Sequence, residues 1–312
     1  MAAPPALADQ DQTLLHDLEP AVERFFERHL SRSKEWFPHE HIPWSQGRDF
    51  VKGERSADEA LPAAVRSALV VNLLTEDNLP YYTQSISKLT GAEGAWGQWL
   101  RRWTAEEGRH SIAIRDWMCV TRSVDLIELE RDRMAQVSHG YEPAADFGVA
   151  DLISYVALQE LATRISHRNT GALIEDEAGQ DVMARVAADE NHHFLFYRDL
   201  VSEALEAHPS IMMPAIERQV RNFEMPGTGM PSFKEHAKRI ADAGIYDVPI
   251  HVSQILEPVV MRDWRITAVE RLDGAAEAAR ERLVEAIGKL GRIAERVRQR
   301  RARVSASERS FH

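Results

Sequence analysis

Apolar residues recur at spacings of three and four from Leu14 onward, and alternation at period two is nearly absent, so the chain reads as helical almost throughout. The pattern predicts an opening helix over about residues 11–31, then a loop from Trp36 to Trp44 where Pro38 and Pro43 forbid a regular helix. A second helix is expected over about 62–90, started by Pro62, ended at Gly91 and kinked at Pro80. Helices follow over about 96–122, 124–139, 146–168 and 180–207, with breaks at Gly140–Pro143 and Gly171–Gly179. After His208 and Pro209 the pattern predicts a helix to about Met225, a turn from Pro226 to Pro231, a helix near 234–243 and a final pair over about 253–303. The expected fold class is all-α, a four-helix bundle core with additional flanking helices. Residues 1–270 are read as one helical domain and 271–312 as a C-terminal helix with a basic, mobile tail.

Four of the apolar stripes carry carboxylates or histidines in their middle. Trp96, Leu100, Trp103, Glu107, His110, Ile114 and Trp117 step by three or four along one helix, and Met183, Val186, Glu190, His193, Tyr197 and Leu200 do so along another. Glu-x-x-His therefore occurs twice, and residues three apart share a helix face, so each pair can address one metal ion. Glu76 sits in the stripe Val65, Leu69, Asn72, Glu76, and Glu160 in the stripe Ile153, Val156, Glu160, Thr163, His167. An ionised carboxylate on a core-facing stripe is costly unless something compensates it. Four Glu and two His converging from four helices match the dinuclear carboxylate site of ferritin-like bundles, in which two helices give one Glu each and two give Glu-x-x-His. Four carboxylates are neutralised by two divalent ions. Oxygen-rich ligation with one imidazole per ion suits iron, with manganese also compatible, better than the thiolate sites favoured by zinc or copper.

Composition narrows the class. The 312 residues are 44% hydrophobic and 28% charged, enough apolar material for a large core. No apolar run reaches the ~18 residues of a membrane span. Residues 1–10 lack a basic start and an apolar segment, so the expected location is cytoplasmic. A single cysteine, Cys119, leaves no disulfide framework and no cysteine-based metal site within one chain. The net charge of −11 argues against nucleic acid as a partner.

At TEDNLPYY, WTAEEGRH, QELATRISHRNTG and ADENHHFLFY the sequence resembles the soluble acyl-[acyl-carrier-protein] desaturases, and most closely their bacterial, actinobacterial branch. Weaker similarity covers about residues 10–270. The resemblance implies that Glu76, Glu107, His110, Glu160, Glu190 and His193 ligate two irons, and that Thr163 lies on the oxygen-binding side. It matches Trp36 and Asp189 to an electron route and Trp103 to a tryptophan before the first pair. It implies insertion of a cis double bond into a carrier-bound fatty acyl chain with dioxygen and two electrons. Acyl carrier protein, a ferredoxin-type donor and a second copy of the chain as a homodimer are the implied partners. His192 and Ser111 depart from the plant pattern, and the segment between Glu76 and Glu107 is shorter than in plant members.

Other readings remain open. Another diiron oxidase or hydroxylase on long-chain acyl substrates would share the site and yield an oxygenated product. Iron storage predicts a short four-helix chain, whereas more than a hundred residues follow His193 here. Leu73, Trp103, Ile114 and Met118 are candidates for an acyl channel by stripe position, with ordinary core packing the alternative. Basic residues available for an acidic carrier are Arg218, Arg221, Lys234, Lys238, Arg239 and the arginines after 291, which equally read as solvated helix faces. His39 and His41 read as exposed loop histidines. Glu106, about 100° round the helix from Glu107, reads as facing solvent or as supporting a ligand. His167 reads as a structural hydrogen-bonding group or a support for the metal site. Cys119 reads as a buried small hydrophobe.

Overall fold

The structure is a computed structural model that describes residues 7–55, 61–225, 227, 229, 230 and 232–309. Residues 1–6 of the segment screened for a leader, Pro226, Thr228 and Pro231 of the expected turn, and residues 310–312 of the tail lie outside it. The described chain is all-α, and apart from three local differences it has the helices expected from its periodicity. They are α1 (Leu7–Arg32), α2 (Pro38–His41), α3 (Ala63–Glu76), α4 (Leu79–Thr90), α5 (Gly94–Thr121), α6 (Leu126–His139), α7 (Val149–Gly171), α8 (Glu177–Ala207), α9 (Pro209–Arg221), α10 (Phe233–Asp242), α11 (Val248–His251) and α12 (Gly274–Arg309).

Helices α3, α5, α7 and α8 carry the four stripes and form the bundle. Their apolar residues fall into two clusters. One joins Trp96–Trp103 of α5 and Phe194–Leu205 of α8 to α1, α7, α9 and α12. The other joins Ala113–Met118 of α5 and Val182–Val186 of α8 to α3 and α10. The Glu-x-x-His segments are the stretch of α5 and α8 between the two, so the polar centre is enclosed by apolar packing on both sides. Five residues of α12, from Ala276 to Ala294, belong to the first cluster.

Three local differences from the expected pattern have physical causes. The predicted 62–90 helix is two helices. Asp77 is drawn into an ion pair with Arg133 of α6, and Pro80 takes up the first turn of α4, where its missing N–H costs nothing. A single helical turn, Pro38–His41, interrupts the predicted loop, with Pro38 at its start. Val252–Asp263 runs as a π-helix, closed by the Trp264 N–H on the Val259 carbonyl at 2.8 Å. Pro258 lies inside it, and the widened turns absorb a residue that cannot donate.

Candidate metal centre

Glu107 and His110 come from α5, Glu190 and His193 from α8, Glu160 from α7 and Glu76 from the last position of α3, and all six are buried. Ligand-type atoms of Glu76, Glu107, His110 and Glu190 all lie within 4.8 Å of one another, as do those of Glu107, Glu160, Glu190 and His193. Glu107 and Glu190 belong to both sets. The geometry is therefore that of two adjacent positions sharing two carboxylates, each completed by one further Glu and one His. His110 Nδ1 stands 3.7, 3.5 and 3.6 Å from oxygens of Glu76, Glu107 and Glu190. His193 Nδ1 stands 2.7 and 3.6 Å from oxygens of Glu107 and Glu160. Both Nδ1 atoms, Glu107 Oε1 and Glu160 Oε2 are buried without a well-formed hydrogen bond. Such orphans are expensive in a protein interior, and all four belong to the two ligand sets. The residues present fit a pair of divalent cations.

Electrostatics point the same way. Burial, reinforced by the charge of Glu190, raises the Glu160 carboxyl well above the usual range and raises that of Glu107 as well. Burial opposes charge on His110, yet the neighbouring Glu107 carboxylate, a hydrogen bond to Asp189 and the nearby Glu76 carboxylate lift it well above an ordinary imidazole. His193, likewise buried, is lifted by its hydrogen bond to Glu106 and by the adjacent carboxyl groups of Glu107 and Glu160. These directions favour protons on the imidazoles and on Glu160 when no cation is bound, so metal entry is expected to release protons.

The outer nitrogens of the two histidines are held crosswise. His110 Nε2 of α5 lies 3.1 Å from Asp189 Oδ2 of α8, and His193 Nε2 of α8 lies 3.0 Å from Glu106 Oε2 of α5. Each motif thus supplies, from the residue just before its glutamate, the carboxylate that orients the other motif's ring and directs its Nδ1 inward. Asp189 also accepts from Trp36 Nε1 at 2.9 Å and pairs with Arg109 at 2.7 Å, whose guanidinium lies 4.7 Å over the Trp36 ring. Glu106 is flanked by His29 of α1 at 2.9 Å and Arg102 at 2.6 Å. Despite burial, hydrogen bonds to His193 and His29 hold its carboxyl far below the ordinary range. Trp103 Nε1 donates to Glu160 Oε1 at 3.0 Å, and the Thr163 hydroxyl reaches Glu190 Oε2 at 3.0 Å. His167 Nε2 lies 3.3 Å from Glu76 Oε1.

Comparison with known proteins decides the family. The family model for fatty acid desaturases matches residues 10–312. The chain belongs to the fatty acid desaturase family. A Mycobacterium tuberculosis protein named as an acyl-[acyl-carrier-protein] desaturase, DesA1, is 44% identical over 283 residues, covering 87% of this chain and 83% of the relative. The chloroplastic stearoyl-[acyl-carrier-protein] 9-desaturase 6 of Arabidopsis thaliana is 31% identical over 282 residues, covering 85% of this chain and 72% of the relative. The X-ray structure of DesA2 from M. tuberculosis superposes with a TM-score of 0.68 at 28% identity, over 86% of this chain and 99% of that one. The ferritin-like bundle expected from the four stripes is the architecture of this family.

In this desaturase-family chain the six candidate ligands, Thr163, Trp36 and Asp189 are brought together. Other readings from the sequence need correction. Of the two readings of Glu106 the solvent-facing one fails and the supporting one fits, because the residue is buried and bridges His193 to His29. His29 had no sequence signal, because it sits in the last turn of a helix that carries no candidate ligand. His41 is not an exposed loop residue but pairs with Asp181 of α8, while His39 is exposed. Cys119 is half-buried, and burial pushes its thiol up. A cavity of about 860 Å³ runs from Glu76, Glu107 and Trp103 between α4, α6 and α7 to a mouth near His139, Glu142 and Asn222. Of the four channel candidates only Trp103 lines it. Leu73, Ile114 and Met118 pack in the second apolar cluster instead. Arg218 is bound to Asp151, Arg221 to Glu217 and Lys238 to Asp242, which lowers their availability to a partner.

Proposed function

We propose that this protein is an acyl-[acyl-carrier-protein] desaturase, and that Glu76, Glu107, His110, Glu160, Glu190 and His193 hold two irons. The observation that carries the reading is the pair of interlocking ligand sets at the inner end of the 860 Å³ cavity. A cavity of that size can take an acyl chain and exclude bulk water from its inner end. Bound iron would supply dioxygen reduction and hydrogen removal from an unactivated methylene pair, chemistry that protein side chains lack. The overall change balances as one saturated carbon pair, dioxygen, two electrons and two protons giving a cis double bond and two waters.

The chain's own residues do the positioning. Trp103 fixes one oxygen of Glu160, and Thr163 places a hydroxyl against Glu190. Asp189 and Glu106 fix the ring orientation of the two histidines. The connected path Trp36–Asp189–His110 is assigned to electron entry from a ferredoxin-type donor. Arg292, Arg296, Arg300 and Arg303 form a stripe on α12 with no ion pair among the described residues, and are assigned to an acidic carrier protein. A homodimer and a cytoplasmic location complete the proposal. Among the described residues no helix is long and apolar enough to cross a membrane.

The test is anaerobic iron loading of the protein, followed by mass analysis of acyl carrier protein products after reductant and oxygen are admitted. Loss of the mass of two hydrogens from the acyl chain is expected. Gain of one oxygen, or oxygen consumption with no change in the acyl chain, overturns the assignment.

A further inference from the structure

A second cavity, of about 80 Å³, reaches the centre from another side. Its floor is Glu76, Thr163, His167 and Asn72, and its outer wall is Met225 with Phe233, Ala237 and Ile240 of α10. Thr75, Glu76 and Met225 are common to its lining and that of the large cavity; its other lining residues are its own. Two buried side chains in this floor have polar atoms without a well-formed hydrogen bond. Asn72 is 7% exposed and its Nδ2 donates to nothing, although its Oδ1 accepts from Ser166 at 3.3 Å. His167 is 1% exposed, and neither ring nitrogen makes a well-formed hydrogen bond.

We infer that this cavity is a water site, holding a small group of ordered waters between Asn72 Nδ2 and the His167 ring, and that it gives solvent access to the Glu76 side of the centre. The dimensions suit this occupant, since a water takes ~30 Å³ of liquid volume and needs two to four polar partners. A dry, purely apolar cavity would leave the Asn72 donor and the His167 ring at the full cost of buried unsatisfied groups. The role rests on the desaturase reading. Two protons must arrive from solvent and two waters must leave, while the acyl chain occupies the large cavity. The small cavity is a route that the chain does not fill.

The test separates water occupancy from activity. A high-resolution crystal structure of the full-length, iron-loaded protein is expected to show ordered water within hydrogen-bond distance of Asn72 Nδ2 and of a His167 nitrogen. Xenon pressurisation should leave the cavity unoccupied by the gas. A cavity empty of water, or one that fills with xenon, overturns the inference whatever the enzyme does. Ala237→Leu, which fills the outer part of the cavity, should expel those waters with iron content unchanged. It should also lower turnover roughly tenfold and enlarge the solvent deuterium effect, with KM for the acyl substrate unmoved. Loss of the waters with turnover and isotope effect both unchanged overturns the access role. If Ala237→Leu does not fold, Asn72→Leu removes the donor with the same number of side-chain heavy atoms and is read by the same density and isotope measurements. Failure of the wild-type enzyme to desaturate would instead strike the functional proposal and leave the water site standing.

Discussion

At the scale of single residues, the centre was legible wherever a side chain's role follows from its place on its own helix. Glu107, His110, Glu190 and His193 lie on stripes that are otherwise apolar, and a buried charge announces itself by the cost of being there. Glu106 was not legible in that way. Its position round α5 gave a direction but not the neighbour, and only the fold brings His29 of α1 and His193 of α8 to either side of it. Carboxylates that orient metal-ligating histidines typically govern metal affinity by 10–100-fold. Glu106→Gln and Asp189→Asn should each therefore lower iron affinity by roughly that factor, with helical circular dichroism retained. Equilibrium iron titration of each variant measures this, and wild-type affinity in both would remove the orienting role.

At the scale of elements, periodicity located the helices and misjudged one junction. A proline inside a periodic run can kink a helix or begin a new one, and the run itself does not choose. The choice is made by Asp77, whose pairing with Arg133 fixes the turn that ends α3. Stripe position likewise gave the face of Leu73, Ile114 and Met118 but not their depth, which is why they fall in the core and not in the cavity wall. The start of α8 shows how closely two elements are fitted. Asp176 caps the Gly179 N–H at 2.8 Å and accepts from Trp117 Nε1 at 2.9 Å, which draws α5 and α8 together. A Cβ on Gly179 would lie 2.5 Å from the Trp117 ring. Gly179→Ala gains at most about 1 kcal/mol of helix propensity. Overpacking against a buried ring costs about 1–3 kcal/mol. Net destabilisation is expected, read as a lower midpoint in urea, and a raised midpoint would show that the ring yields freely.

For the whole molecule, the distribution of charge matters more than its sum. A net charge of −11 repels an acidic partner at long range, so docking depends on a local positive region. Arg218, Arg221 and Lys238 are already paired within the chain, a fact that no count of arginines could reveal. Arg292, Arg296, Arg300 and Arg303 of α12 carry no such pair among the described residues. Arg296→Glu with Arg300→Glu should raise KM for the carrier-bound substrate about tenfold with little change in kcat, since exposed charges act mainly on encounter. Added salt should weaken the wild-type enzyme in the same direction as the Debye length shortens. Rates indifferent to both changes would move the carrier's landing place elsewhere.

The crosswise hold on the two histidines has a consequence for anyone rebuilding this centre. Neither five-residue block, 106–110 or 189–193, is a self-sufficient module, because the acid that steers each ring travels with the opposite block. Transplanting one of them into a foreign bundle would deliver a glutamate and an unsteered imidazole. The smallest portable unit is the facing pair, moved together with the spacing between their helices.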